Sequence, residues 1–283
     1  MIDAPPLVAI DAGADECVAT LAIRPELACL RGHFPGHPVV PGVVLVGWAL
    51  ELAATHLGMA PDCREMETLK FQRVLQPGQR VELTLRADRD RHTLRFAYRD
   101  GDTMCASGRM LPPQANGQQI AEAAPSGGKD APLPWPIAEL IPHRDGMLLL
   151  DALAACDADH VRCRYRVPPG GLLHDASGTL PAWAGVELMA QAAAAWAGCQ
   201  ATRASEPVRR GFLLGTRHYA CNVAGFAPGN LLMVEARHTF GDANGMGMFA
   251  CRILAPGVLA EARLAVFSPP ESASRSIAGP IGG

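Results

Sequence analysis

The same order of elements occurs twice along this chain, and the repetition restricts the folds open to it. In the first half, strand-like residues 9–10 and 17–23 lead through a loop to a helical run at 41–56 that Gly58 can stop. Alternating segments follow at 67–74, 80–86, 92–98 and 104–110. In the second half, strand-like 161–167 leads to an alanine-rich helix at about 181–197, then to strand-like 212–221, 231–240, 247–254 and 259–266. Pro77-Gly78 stands ahead of one strand in the first half, as Pro228-Gly229 does in the second. One helix and a strand meander, present twice, indicate a duplication. Ala190, Ala192, Ala193, Ala194, Ala195 and Ala197 leave the second helix without a polar face, so it is expected to be buried. A sheet wrapped around one central helix buries it most simply, and the expected class is α+β.

The stretch between the repeats, about 112–135, is rich in Pro and Gly, lacks periodicity and reads as a linker. The 283 residues are comfortable for two domains of ordinary size. No uninterrupted apolar run approaches the roughly 20 residues of a membrane span. Met1-Ile2-Asp3-Ala4-Pro5-Pro6 lacks the basic start and apolar stretch of a secretory signal. A net charge of −3 gives no overall bias toward nucleic acid or anionic membrane. The nine cysteines are scattered, odd in number and without a Cys-x-x-Cys pair, which points to reduced thiols in a cytoplasmic protein and away from a zinc site.

Chemistry concentrates first in Arg31-Gly32-His33-Phe34-Pro35-Gly36-His37-Pro38-Val39-Val40-Pro41-Gly42-Val43. Prolines and glycines in alternation leave His33 few positions, directly before an apolar helix. A titratable ring held where a helix N-terminus points suits proton transfer beside a developing oxyanion.

His33-Phe34-Pro35-Gly36, with Pro38, Pro41, Gly42 and Val43 behind it and a helix next, resembles the active-site motif of hotdog-fold 3-hydroxyacyl-(acyl carrier protein) dehydratases of bacterial fatty-acid synthesis. Lys70-Phe71-Gln72-Arg73-Val74-Leu75-Gln76-Pro77-Gly78 resembles that family's strand into a Pro-Gly turn. The family pairs the histidine with a Glu or Asp fourteen positions on, but here position 47 is glycine. Glu51, one helical turn beyond, stands where the family usually has glutamine. The first half keeps a base and lacks its acid.

In the second half, Pro181-Ala182-Trp183-Ala184-Gly185-Val186-Glu187-Leu188-Met189-Ala190-Gln191 resembles the same family's helix. Pro181 precedes Glu187 by the interval that separates Pro41 from Gly47, so Glu187 falls on the acid position and Gln191 on the glutamine. Leu140-Ile141-Pro142-His143-Arg144 resembles the family's Leu-Pro-His-Arg opening. Gly211-Phe212-Leu213-Leu214-Gly215-Thr216-Arg217 resembles, more narrowly, the partner dehydratase of aryl-polyene pigment pathways. The His-Phe-Pro-Gly loop is absent from this half. His174, one residue from the matching position, lacks the bracing prolines and is read as solvated or structural. His37, His143 and His218 are read as turn or surface residues.

The resemblance implies two fused hotdog domains forming a pseudo-dimer: an N-terminal domain at 1–111, a linker at 112–135, a C-terminal domain at 136–270 and a flexible tail at 271–283. It implies one composite site, with His33 as base and Glu187 as acid, where burial is expected to raise the Glu187 pKa. Opposite it, His174 would face Gly47 in a dead or binding-only site. The implied reaction turns a (3R)-3-hydroxyacyl thioester into a trans-2-enoyl thioester, in fatty-acid or aryl-polyene-type biosynthesis. Phe34, Gln191 and the amides near Gly42 or Ala182 would contact substrate. Implied too are no metal or other cofactor, an acyl thioester carried on the phosphopantetheine of an acyl carrier protein, and docking at Lys70, Arg73, Arg209, Arg210 and Arg217. No nucleic-acid or membrane partner is implied, and a further homo-oligomer stays open. So do a hotdog acyl-thioesterase, a non-catalytic acyl-binding or scaffold subunit, and hydration of an enoyl ester of coenzyme A.

Overall fold

A computed structural model of the chain describes residues 3–111 and 135–269. All of the expected linker but Trp135, and all of the expected tail, lie outside the described residues. The first half forms β1 (Leu7–Ala12), β2 (Glu16–Ala22), α1 (Gly42–Leu57), β3 (Glu65–Phe71), β4 (Arg80–Asp88), β5 (Thr93–Asp100) and β6 (Thr103–Leu111). The second forms α2 (Ile137–Leu140), β7 (Ala152–Cys156), β8 (His160–Arg166), β9 (Leu180–Pro181), α3 (Gly185–Arg203), β10 (Phe212–Cys221), β11 (Gly225–Phe226), β12 (Leu231–Gly241), β13 (Met246–Ala255) and β14 (Val258–Phe267).

Twelve of these strands pair antiparallel in one sheet, in the order β1-β2-β4-β5-β6-β3-β10-β14-β13-β12-β8-β7. The two repeats therefore share a sheet, joined where β3 meets β10, with Lys70 opposite Gly215 and Glu65 opposite Ala220. Each half-sheet encloses its own helix. In α1, Trp48 is fully buried and its indole N–H donates to the Asp3 carbonyl at 2.8 Å. Gly58 caps α1 in the left-handed conformation, φ 64°. Along α3, Val186, Leu188, Met189, Ala192 and Ala195 are buried, as its apolar circumference predicts. Each such leucine, valine or methionine contributes about 1.5–3 kcal/mol over exposure.

The second helix differs from expectation at both ends. It is preceded by a 3-10 turn, Ala182–Ala184, and it runs beyond Ala197 to Arg203. Gly198, inside the longer helix, serves close packing. A Cβ at Gly198 would lie 2.0 Å from the Leu140 carbonyl oxygen, so the bare backbone lets α2 dock on α3. The 182–184 turn also contacts α1, which brings the approaches to the two helices together between the repeats. No described helix is long and apolar enough to cross a membrane.

Candidate active site

The loop before α1 presents His33. The Val39 amide donates to the His33 carbonyl at 2.8 Å, and His33 Nδ1 lies 3.1 Å from the Val39 carbonyl oxygen. A carbonyl only accepts, so Nδ1 carries the ring proton and Nε2 keeps its lone pair. Inside this clasp, Phe34 and His37 exchange backbone hydrogen bonds of 3.2 and 3.0 Å around Pro35-Gly36. The Phe34 ring stacks on His33 with centroids 4.1 Å apart.

The second half supplies the acid from the first turn of α3. Glu187 is 5% exposed. It accepts from the Gln191 side-chain amide at 2.9 Å, one helical turn on, and from His143 Nε2 at 3.4 Å. Gln191 also donates to the Met147 carbonyl at 2.7 Å and accepts from the Leu149 amide at 3.1 Å. It thereby ties the segment bearing His143 to α3. The His143 ring lies 5.3 Å from that of His33 and meets Phe34 edge-on at 4.9 Å.

The two segments are locked by backbone. Arg144 N–H donates to the Gly32 carbonyl at 3.0 Å, and a Cβ at Gly32 would fall 1.8 Å from the Arg144 carbonyl oxygen. Gly32→Ala must force these strands of chain apart, an overpacking that costs about 1–3 kcal/mol. Displacing a reacting group by about 1 Å costs roughly 100-fold in rate. The variant is thus expected to show a lower Tm and a turnover loss of about that size, checked by thermal melts and initial rates.

Donor atoms of His33, His143 and Glu187 all lie within 4.8 Å of one another, the one such set among the described residues. Two imidazoles and a carboxylate could hold a divalent cation. A tetrahedral zinc site sets its donor atoms about 3.3 Å apart, so the widest separations would have to close. As a proton-transfer array the three groups need no movement.

The electrostatics are asymmetric. Burial drives the His33 pKa down to about 4 against the pull of Glu187, so the ring is a neutral base at neutral pH. For Glu187, burial works upward, but the His143 hydrogen bond and charge, His33 and Gln191 outweigh it and hold the group at about 2. The expected rise in the Glu187 pKa is corrected: the carboxylate is ionised because it is buried against donors, not against hydrocarbon.

These groups open onto a cavity of about 120 Å³ between the halves. Gly42, Leu45 and Phe71 line it from the first half, and Phe212 and Phe249 from the second. Ala190, Ala193, Ala194 and Ala197 of α3 also face it, and their short side chains leave the space open.

The structure brings His33, Glu187, Phe34 and Gly42 together on one cavity. Other expectations change. Gln191 does not line the cavity, because its amide is committed to Glu187, Met147 and Leu149; it positions the acid. The Ala182 amide donates to the Ala224 carbonyl at 2.9 Å and is not available to a substrate carbonyl. Arg73 and Arg209 border the cavity, whereas Lys70, Arg210 and Arg217 do not. His174 is not solvated: it is 3% exposed, and neither ring nitrogen has a hydrogen-bond partner among the described residues. His218, on the surface, does have an acid, Glu65 at 2.8 Å. His143 is no surface residue, being 6% exposed and bonded to Glu187. Its partner is distant in sequence, so spacing could not reveal it; the one signal was its place in the Leu140–Arg144 string.

Residues 135–277 match the family model of the ApeP dehydratase, and residues 9–109 match that of the ApeI dehydratase. A 3-hydroxyacyl-(acyl carrier protein) dehydratase FabZ of Oenococcus oeni is 30% identical over 88 residues, 27% of this chain and 63% of that protein. The FabZ of Ligilactobacillus salivarius is 33% identical over 98 residues, 31% of this chain and 69% of its own. The chain thus spans less than two thirds of the Oenococcus protein's length. Among solved structures, the dehydratase domain of a mycocerosic acid synthase-like polyketide synthase has a TM-score of 0.63 at 16% identity, covering 95% of this chain and 99% of that one. That likeness extends the shared fold over both repeats.

Proposed function

The chain belongs to the ApeP-like dehydratases through residues 135–277, about half its length, and we propose that it dehydrates a (3R)-3-hydroxyacyl thioester to the trans-2-enoyl thioester at one site built from both repeats. The observation that carries this reading is the meeting of a neutral imidazole, His33, with a carboxylate, Glu187, at the head of an apolar cavity.

His33 Nε2 takes the C2 proton, which the thioester makes acidic. Gly42 lines the cavity at the first turn of α1, where a helix leaves amides without intrahelical partners, and its N–H is the donor assigned to the enolate oxygen. The C3–O bond then breaks, and the hydroxyl leaves as water with a proton from the Glu187–His143 pair. Glu187 is ionised in the free protein, so the proton it passes on is one that His143 carries as imidazolium, the ring returning to its neutral form as the water leaves. One proton lost from His33 and one regained by the pair reset the site. The elimination is redox-neutral, so the reading assigns no redox cofactor. The acyl chain occupies the alanine-lined cavity, and its thioester arrives on the phosphopantetheine of an acyl carrier protein, with Arg73 and Arg209 at the cavity as the nearest cations for an acidic carrier. Aryl-polyene or fatty-acid synthesis supplies such substrates.

Incubation with a 3-hydroxyacyl thioester is expected to raise enoyl absorbance without releasing thiol. Thiol release without enoyl product would make the chain a thioesterase. His174→Ala is expected to leave turnover within about twofold, since that ring bonds to nothing at the site. A loss beyond tenfold would move the chemistry to the opposite pairing.

A further inference from the structure

The outer face of the first-half sheet carries three adjacent arginines with no acid between them. Strand pairing sets Glu16 opposite Arg86, Arg86 opposite Arg95, Arg95 opposite Arg109, and Arg109 opposite Glu67. The flanking Leu94 and Phe96 are buried, so Arg95 points away from the core. The outer two arginines have acids: Arg86 pairs with Glu16 at 3.2 Å and Arg109 with Glu67 at 3.1 Å. Arg95 has a guanidinium on each side, and its side chain has no ion pair or hydrogen bond among the described residues. Like charges set directly opposite cost about 0.2–1 kcal/mol per pair.

Two further observations mark the row as a binding surface. Four arginines, Arg86, Arg95, Arg99 and Arg109, line a depression there with the hydroxyls of Thr84 and Ser107, and no carboxylate lines it. Within it, Arg109 Nε is buried and has no hydrogen-bond partner. The second repeat provides an internal control. Its corresponding row runs Arg162, Glu235, Arg252, Glu261, each opposite the next, so its charges alternate. Arg252 and Glu261 pair at 2.8 Å. Only the first-half row is left with a surplus of positive charge.

We propose that this row docks an acidic α-helix of a partner protein. Neighbouring strands lie about 4.8 Å apart, so Arg86, Arg95 and Arg109 repeat at that interval across the strands. Helix side chains at i, i+4 and i+7 are about 5–6 Å apart and match the interval, whereas same-face residues of an added strand repeat at about 6.6–6.8 Å and drift out of register. A second copy of this chain placed face to face by a two-fold axis would set arginine against arginine. Each guanidinium can take a carboxylate in a two-pronged charge-assisted bond. The docking needs nothing from the dehydratase reading, because the row lies on the sheet face opposite the core.

The test uses the full chain and a stapled helical peptide with glutamates at i, i+4 and i+7, beside an isomeric helix whose glutamates point to different faces, and inorganic pyrophosphate. The aligned peptide is expected to bind in low salt, weaken as salt rises, and lose at least about tenfold in affinity to Arg95→Glu, one charge-assisted bond being worth about 1.5–3 kcal/mol. The same variant should keep wild-type turnover and show an equal or higher Tm, since it replaces two like-charge pairs with opposite-charge ones. Absence of peptide binding, equal binding of the scrambled helix, or unchanged affinity in Arg95→Glu would each overturn the proposal. Pyrophosphate competing at the row while the peptide does not bind would make it a small-anion site instead.

Discussion

Replacing Glu187 by glutamine lowers dehydration turnover by roughly 10²–10⁴-fold, the range that one positioned proton-transfer group contributes. Glutamine keeps the side-chain shape, and its carbonyl can still accept from His143 and Gln191, so the fold should hold, with Tm at neutral pH lowered by the stabilisation that the ionised carboxylate supplied. His33→Ala is expected to cost a similar factor. The double variant should lose little beyond the worse single one, because the two groups act in one step. Both residues meet within one chain, so mixing the two variants in solution should restore nothing; recovered activity would show that sites form between chains. Acid dependence follows from the pKa values. With His33 at about 4, kcat/KM rises as pH climbs through 4 and the ring loses its proton. The unfolded chain binds that proton more readily than the folded one between 4 and the ordinary 6.5, so folding stability also rises with pH across that window. Glu187, held at about 2, adds stability that is present above its ordinary 4.5 and lost as pH falls through 2. A kcat/KM profile with its acid limb near 6.5 would mean that substrate meets a His33 far less buried than this one.

What could be read in advance is what local rules govern. The apolar run after Pro41 and the alanines from Ala190 to Ala197 announce buried helices, and alternation announces the long strands. The Pro41–Gly47 and Pro181–Glu187 intervals align the repeats, which is how an acid in one half could be matched to a base in the other. What escaped is tertiary. His143 finds Glu187 only once α2 has docked on α3, and Gln191 reveals its brace only when the 147–149 segment lies against it. The error in the Glu187 pKa follows from that one omission: without His143, burial is the remaining influence and points upward. Ala182 fails as an oxyanion donor for a similar reason, its partner Ala224 being contributed by a distant turn. Strand β7 was missed because Ala152–Cys156 is short, small and weakly alternating.

His143→Ala should therefore do more than open a hole. In the intact site, the His143 hydrogen bond and charge are the largest influences that keep Glu187 low against its burial. Without the ring, burial is opposed only by His33 and Gln191, and the Glu187 titration moves upward from about 2. For His33, weakening of the Glu187 charge removes an interaction that raises its pKa while loss of the ring removes one that lowers it, so the acid limb set by His33 shifts little. Turnover is expected to fall by about 10²-fold, since the leaving hydroxyl loses the group that resupplies its proton. The measurement is the carboxyl chemical shift of 13C-labelled Glu187 followed against pH, alongside kcat. His143→Gln, which can still donate to Glu187, should bring the titration part of the way back down and recover part of the rate. A ring that merely filled space would lower Tm in both variants and leave the Glu187 titration in place. That result, with unchanged kcat, would remove His143 from the proton path and leave Glu187 to be supplied by the substrate hydroxyl or solvent.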